Sequence, residues 1–335
     1  MLDIDDTNLN PIGKIKVIGV GGGGISAVNQ MISNELKYME FIAVDTDAKT
    51  LENSQAPRRI HITENAMKNS EQILHSIEAT DMIFVVAGMG GKAGTSIAPI
   101  IAKYSKELGA LTVAVVTRPF EDEKRNKNAD AGIKNLNNHS DLVVVVSGDK
   151  ILQANENISK EQALNIADDV LFKTVQGIAN LILIPGMINL DFGDLCTILG
   201  NAGIAFVGIG EASGKNASVK AVQVALDCPL LEKMQDATSI VINFMGSDES
   251  FSMAEVNEAS NLIQDAAKSE AEIMWGMSID ESLGDTVRVM IIATRFNGEP
   301  VADYCSKWQT QNVPPKSKNI KSDDDNTIEV PPWMR

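Results

Sequence analysis

Through the first half of the chain, short runs of Val, Ile and Ala alternate with amphipathic stretches of helix length. The runs occupy residues 15–20, 41–44, 82–87, 111–116 and 142–146. Several are continuously apolar rather than alternating, as strands covered on both faces are. Between them, residues 26–36, 96–108 and 129–136 carry apolar positions at helical spacing. Strand, helix, strand repeated in this way predicts an α/β fold with a doubly wound parallel sheet. Residues 159–181 then read as one long helix. Ser159 and Gln162 can form a capping box, and Ala163, Ile166, Ala167, Val170, Leu171, Val175 and Ile178 recur on one side. Pro185-Gly186 ends the helical pattern.

The second half has a different texture. Residues 203–210, 239–244, 272–277 and 286–294 read as strands, with helices at 218–225 and 254–267. Leu283-Gly284-Asp285 reads as a turn joining the last two strands into a hairpin. The pattern divides the chain into an N-terminal extension (1–13), an α/β domain with the long helix (14–182) and a smaller α+β domain (183–296). Residues 297–327 are polar, aperiodic and carry Pro314-Pro315 and Asp323, Asp324 and Asp325, which predicts a disordered linker. Residues 328–335 (Ile-Glu-Val-Pro-Pro-Trp-Met-Arg) close the chain with an apolar-aromatic cluster of the kind that orders on a partner.

Composition narrows the function classes. The 335 residues hold 29 Lys and Arg against 45 Asp and Glu, a net charge of −16. So acidic a chain lacks the basic stripe that sequence-independent nucleic-acid binding requires, and it is a poor match for an anionic bilayer. No apolar run is long enough to insert in a membrane, and the acidic residues 1–11 have no apolar core of a secretory signal. A cytoplasmic location is therefore expected. Three scattered cysteines and three scattered histidines suggest neither a disulfide framework nor a metal set.

Candidate chemistry lies in three places. The strand at 15–20 runs into Gly21-Gly22-Gly23-Gly24 and then a helix, so backbone amides and a helix N-terminus converge where an anion would bind. Gly19, Gly21 and Gly24 also satisfy G-x-G-x-x-G with Asp45 at the end of the next strand, which by itself would point to a dinucleotide and an NAD-dependent oxidoreductase. A second loop, Gly88-Met89-Gly90-Gly91-Lys92-Ala93-Gly94-Thr95, comes after the strand at 82–87. Two such loops fit a polyphosphate held from both sides better than they fit two tight turns. Asn189-Leu190-Asp191-Phe192-Gly193-Asp194 lies beyond the long helix. On spacing alone Asp191 serves equally as a helix N-cap or, with Asp194, as a carboxylate pair for phosphate chemistry.

These motifs together resemble the bacterial tubulin homologue FtsZ over nearly the whole chain. The resemblance rests on Val17-Ile18-Gly19-Val20 with its four glycines, Phe84–Gly91, Val116–Phe120, Leu183–Leu195, Val207–Asn216 and the terminal Glu-Val-Pro-Pro-Trp-Met-Arg. It implies a tubulin/FtsZ-like fold: a GTPase domain, a long central helix and a smaller C-terminal domain. It implies GTP or GDP as cofactor, with Mg2+ alongside, and head-to-tail self-assembly in which GTP is hydrolysed between subunits. Carried over residue by residue, Gly21, Gly22, Gly23, Gly24, Gly90, Gly91, Gly94 and Thr95 would cradle phosphates. Glu121 or Glu123 and Arg125 would lie near ribose and base. Asp168 would read guanine, and Asn189, Asp191 and Asp194 would form the catalytic loop. Val330, Pro331, Trp333, Met334 and Arg335 would dock membrane tethers and regulators of the division ring, which places the protein beneath the inner membrane at mid-cell.

The departures from that family cluster in the nucleotide loops. Lys92 replaces a glycine, Ala93 a threonine and Ser96 a glycine, while Ser26 and Gly148 stand where asparagines are usual. Lys92 is open to three readings: a strained loop position, a point cation for phosphate, or a plain surface lysine. The family's glycine-alanine-glycine loop that senses the γ-phosphate has no counterpart, since residues 62–73 hold no glycine. The chain is then expected to be either a working GTPase with an altered pocket or a divergent paralogue that assembles or regulates filaments with little turnover.

Overall fold

The computed structural model describes residues 13–63, 66–120, 123–155, 158–184, 186, 188–232 and 234–296. The expected linker, the docking peptide and Glu121 lie outside the described residues. Among the described residues the strands form one ten-stranded sheet in the order β3-β2-β1-β4-β5-β6-β7-β10-β8-β9. Its first part comprises β1 (Ile15–Val20), β2 (Met39–Asp45), β3 (Arg58–His61), β4 (Met82–Gly88), β5 (Leu111–Arg118) and β6 (Leu142–Ser147), all paired in parallel. The order reverses between β1 and β4, as the doubly wound reading requires. Every residue of β1 and β6 is buried, because helices cover both faces.

The helices α1 (Gly21–Ser33), α2 (Ala48–Glu52), α3 (Ala66–Ile77), α4 (Lys92–Glu107), α5 (Glu123–His139) and α6 (Gly148–Ala154) connect these strands. Helices α1, α4 and α5 begin four to six residues before the periodicity predicts. In α1 and α4 the extra residues are the loops' own glycines and small residues, which have no side chain to reveal an apolar face. Strand β3 escapes the hydrophobic pattern because Arg-Arg-Ile-His buries one side chain at the sheet's edge.

Helix α7 (Lys160–Leu183) is the long helix, opened by the expected capping box. The Gln162 amide donates to Ser159 Oγ at 3.1 Å and the Ser159 amide to Gln162 Oε1 at 2.7 Å. It packs on α1 and reaches both halves of the sheet. At Gly177 it lies so close to Met290 that a Cβ would meet the thioether sulfur at 2.6 Å.

The second half holds α8 (Phe192–Leu199), β7 (Gly203–Ser213), α9 (Ala217–Leu226), β8 (Ala237–Gly246), α10 (Met253–Ala266), β9 (Glu272–Ile279) and β10 (Thr286–Phe296). Strand β7 joins β6 in parallel through Leu142↔Gly203 to Val144↔Ala205, so the sheet is continuous between the halves. The expected hairpin does not form. Strand β10 inserts between β7 and β8, antiparallel to both, and β9 pairs in parallel with β8 at the edge. The alternation of Val287, Val289 and Ile291 marks one buried face, but Met290, Ile292 and Thr294 on the other face are buried too. A strand covered on both sides belongs in the sheet's interior, which a hairpin onto edge strand β9 would deny it.

Candidate functional site

The two glycine loops meet at the point where strand order reverses, the place open α/β sheets offer a ligand. They are built against each other. A side chain at Gly21, whose φ is +72°, would come within 3.2 Å of the Gly94 amide nitrogen and 3.3 Å of Ala93 Cβ. Gly23 faces Gly88 in the same way, at 3.4 Å. The N-termini of α1 and α4 therefore open side by side, and neither has a side-chain cap on its first amides. In front of them lies a cavity of about 750 Å³. Gly21, Gly22, Gly23, Gly91, Gly94 and Arg125, all expected at the site, line it. Gly24, Gly90 and Thr95 do not; they hold the wall. A Cβ on Gly24 would collide with the Val86 carbonyl oxygen, and Gly90, at φ +84°, packs on Pro119 and the Arg125 carbonyl while its amide donates to Thr95 Oγ1 at 2.8 Å.

Helix α7 closes one side. Lys160, Leu164 and Ala167 line the cavity from a single stripe, and Leu164 is an exposed leucine that no core claims. Asp168 comes next, half-buried and not itself among the lining residues, and Ser26 Oγ donates to its Oδ2 at 2.7 Å. Burial pushes this carboxyl up from 3.8 to about 6, and the Ser26 hydrogen bond holds the rise back. Phe120 roofs the space over Gly148, where a Cβ would meet its ring at 2.9 Å. Arg118, buried behind it, donates from Nε and Nη2 to Asp130 and pairs with Asp149 at 3.6 Å. Glu123 begins α5.

Asp45 and Asp47 line the opposite side. Both spend oxygens locally. Asp45 is 5% exposed and its Oδ1 accepts the Thr46 and Asp47 amides at 2.6 and 3.2 Å, while Asp47 caps α2 by accepting the Lys49 amide. Among the described residues no cluster of three His, Cys, Asp or Glu side chains could hold a metal. A magnesium ion would have to be carried mainly by the ligand's own phosphates, which is how such ions are commonly bound.

Asn189, Asp191 and Asp194 are all exposed and none lines this cavity. They lie past the far end of α7. At 1.5 Å per residue, the helix from Leu164 to its last residue, Leu183, spans about 30 Å. The loop is tightly held. Asn189 Oδ1 accepts the Gly186 amide at 2.9 Å, Met277 donates its amide to the Ile188 carbonyl at 2.8 Å, and a Cβ on Gly186 would strike the Met277 carbonyl. Asp191 caps α8, accepting the Asp194 amide at 2.7 Å. The Asp194 carboxylate itself has no hydrogen-bond or ion-pair partner among the described residues. Arg295 fixes the other end of α8 by donating to the carbonyls of Thr197 and Gly200.

Comparison with known proteins agrees with this geometry. Residues 61–156 match the tubulin/FtsZ family GTPase domain, and residues 203–297 match the FtsZ family C-terminal domain. An empty FtsZ dimer from M. jannaschii is 34% identical with a TM-score of 0.79, over 84% of this chain and 88% of that one. The chain belongs to the tubulin/FtsZ family. A tryptophan-to-tyrosine mutant of FtsZ from the same organism is similar at 35% identity and TM-score 0.80, over 85% of this chain and 91% of that one. The fold, at 17% identity, is also that of CetZ2 from Haloferax volcanii, solved as a GTPgS-bound protofilament, with a TM-score of 0.72 over 88% of this chain and 97% of that one.

Family membership disposes of the NAD reading: the glycine pattern and Asp45 belong to a GTPase-type domain, and Asp45 is tied to its own backbone. The drifted positions now have places. Thr63 and Asn69 lock the start of α3, with Asn69 Oδ1 accepting the Thr63 amide at 3.1 Å, and the described part of that connection does not enter the cavity. Sequence patterns in this FtsZ-family chain do not single out Thr46, Thr50, Lys160 or Leu164, all of which line the cavity. The signal that would have found the last two is their stripe with Ala167, at i, i+4 and i+7 of one helix.

Proposed function

We propose that this chain is a guanine-nucleotide-dependent filament subunit. One copy holds GTP against the starts of α1 and α4, and the next copy brings Asp191 and Asp194 to it. The observation that carries this reading is the separation of the two half-sites. The cavity and the acid loop sit at opposite ends of α7, about 30 Å apart, so one molecule does not complete its own site. A contact between unlike ends repeats indefinitely, which builds filaments. In the cavity, backbone amides of Gly21, Gly22, Gly23 and Gly91 donate to the phosphates, and at its edge Asp168, next to the lining Ala167, accepts the guanine N1–H and amino group when ionised. In the junction the Asp194 carboxylate, unpaired in the free subunit, orients the attacking water, while Asp191 holds α8 in register and adds negative charge that draws the water's protons. A magnesium ion riding on the phosphates would offset their charge.

The division-ring role belongs to the same reading. The peptide at Val330, Pro331, Trp333, Met334 and Arg335 docks a membrane tether or regulator, and the filament acts in the cytoplasm beneath the membrane at the division site. A second reading, a paralogue that assembles with little turnover, is favoured by the connection after β3, which lacks a glycine-rich loop. Phosphate release from GTP, measured against protein concentration, separates the two. The first reading expects a rate per molecule that climbs steeply with concentration and falls at least tenfold in Asp194→Ala. Filaments indifferent to GTP and to Asp194→Ala would establish the second.

A further inference from the structure

Four side chains carry positive charge into the cavity: Lys92, Arg118, Arg125 and Lys160. Arg118 is committed to Asp130 and Asp149. Lys92 and Lys160 are both exposed, each is the first residue of its helix, and neither has an ion-pair partner among the described residues. Lys92 is the one on α4, whose start packs against Gly21 of the first glycine loop. Asp45 and Asp47 line the same cavity, each with one oxygen on a backbone amide, and no ion pair among the described residues joins either to Lys92. Nor is the position strained, for Lys92 is absent from the residues with positive φ. Of the three readings that the sequence allows, the strained loop is thereby removed.

The direction of a nucleotide in the cavity is set by the topology. From β1 the chain crosses to β2 on one side, and from β4 it crosses to β5 on the other. With right-handed crossovers, α1 and α4 cover opposite faces of the sheet. Helix α7, carrying Asp168, packs on α1. A nucleotide with its base beside Asp168 therefore crosses the start of α1 and delivers its phosphate end to the start of α4. There the ammonium of Lys92 meets the last phosphate, added to free helix amides.

We infer that Lys92 is the specificity residue that distinguishes triphosphate from diphosphate in this chain, taking over a task for which the connection after β3 offers no glycine loop. This rests on the guanine-nucleotide reading above. The test is calorimetric titration of the full-length protein with a non-hydrolysable GTP analogue and with GDP, for wild type, Lys92→Gln, Lys92→Arg and Lys160→Gln. Lys92→Gln is expected to weaken the triphosphate about tenfold and GDP less than threefold, since one charge-assisted contact is lost from one ligand only. Lys92→Arg should keep most of the preference. Lys160→Gln, at the base end, should weaken both ligands by the same factor. The preference should also survive in EDTA, because the discriminating cation is part of the chain. Equal losses for both nucleotides in Lys92→Gln, or loss of the wild-type preference in EDTA, would overturn the inference while leaving the nucleotide site intact. A wild type that binds neither nucleotide would overturn the functional reading itself, and the role of Lys92 with it.

Discussion

Asp168 shows how one side chain carries opposite pH dependences for stability and binding. Folded, it keeps its proton up to about pH 6, whereas an ordinary carboxylic acid loses it near 3.8. The folded state thus binds more protons than the unfolded one between those values, so this group's contribution to stability is lost as pH rises through that window. In the proposed function Asp168 reads guanine in its ionised form, so nucleotide affinity should instead rise from pH 5 to 7 with a midpoint near 6. Titrations across that range should show the step in wild type and its absence in Asp168→Asn. Ser26→Ala should move the midpoint upward, because the hydrogen bond that favours the carboxylate is gone. Gly24 makes a steric prediction of the same local kind. Its Cα lies against the Val86 carbonyl, so Gly24→Ala forces α1 off β4 and should cost about 2–3 kcal/mol in urea unfolding. Gly22 has only the Thr50 methyl at 3.9 Å, and Gly22→Ala should leave stability within about 0.5 kcal/mol of wild type.

At the scale of elements, α7 joins the nucleotide end to the C-terminal strands through a buried ionic node. Lys173, 8% exposed at its side chain, pairs with Asp169 at 3.1 Å and with Glu211 on β7 at 2.9 Å. Arg288 on β10 donates to Glu211 at 2.7 Å and to Gln176 at 3.1 Å. One carboxylate on β7 thus serves two cations, one from α7 and one from β10. Glu211→Gln keeps the shape but leaves Lys173 with Asp169 as its one carboxylate and Arg288 with the neutral Gln176 and no carboxylate among the described partners. Removing one partner of a buried ion pair costs about 3 kcal/mol or more, and this variant should unfold at correspondingly lower denaturant. Asp169→Asn, at a more exposed partner, should cost clearly less.

At the scale of the molecule, the proposed split site makes a prediction that an enzyme with its site inside one chain does not share. Gly22→Glu adds a carboxylate to an open part of the cavity wall, so the fold survives while phosphate is repelled. Asp194→Ala removes the acid from the other end. Each variant alone should release little phosphate. Mixed in equal amounts, they should recover a substantial fraction of wild-type turnover, because the cavity of one meets the intact acid loop of the other. A mixture no more active than its components would mean that the two ends do not form one site.

The periodicities in the sequence were enough for the parallel sheet, the long capped helix and both glycine loops, because these are local matters. A strand buried on both faces must be apolar throughout, a capping box needs residues three apart, and a backbone that approaches an anion needs glycine. The positions of Gly21, Gly22, Gly23 and Gly91 at a ligand cavity were legible for that reason. Other features depend on contacts between residues remote in sequence. The turn at Gly284 looks like a hairpin until β10 is seen between β7 and β8. That Gly24 has no room for a side chain shows only once Val86 is seen behind it. Leu164 falls outside the apolar stripe of the long helix, and only the packed structure shows that it lines the cavity. Chain order specifies which residues favour strand, helix or turn; the packing of elements decides which faces those residues share. The separation of cavity and acid loop along α7 is of the second kind, since a helix turns adjacency in sequence into distance in space.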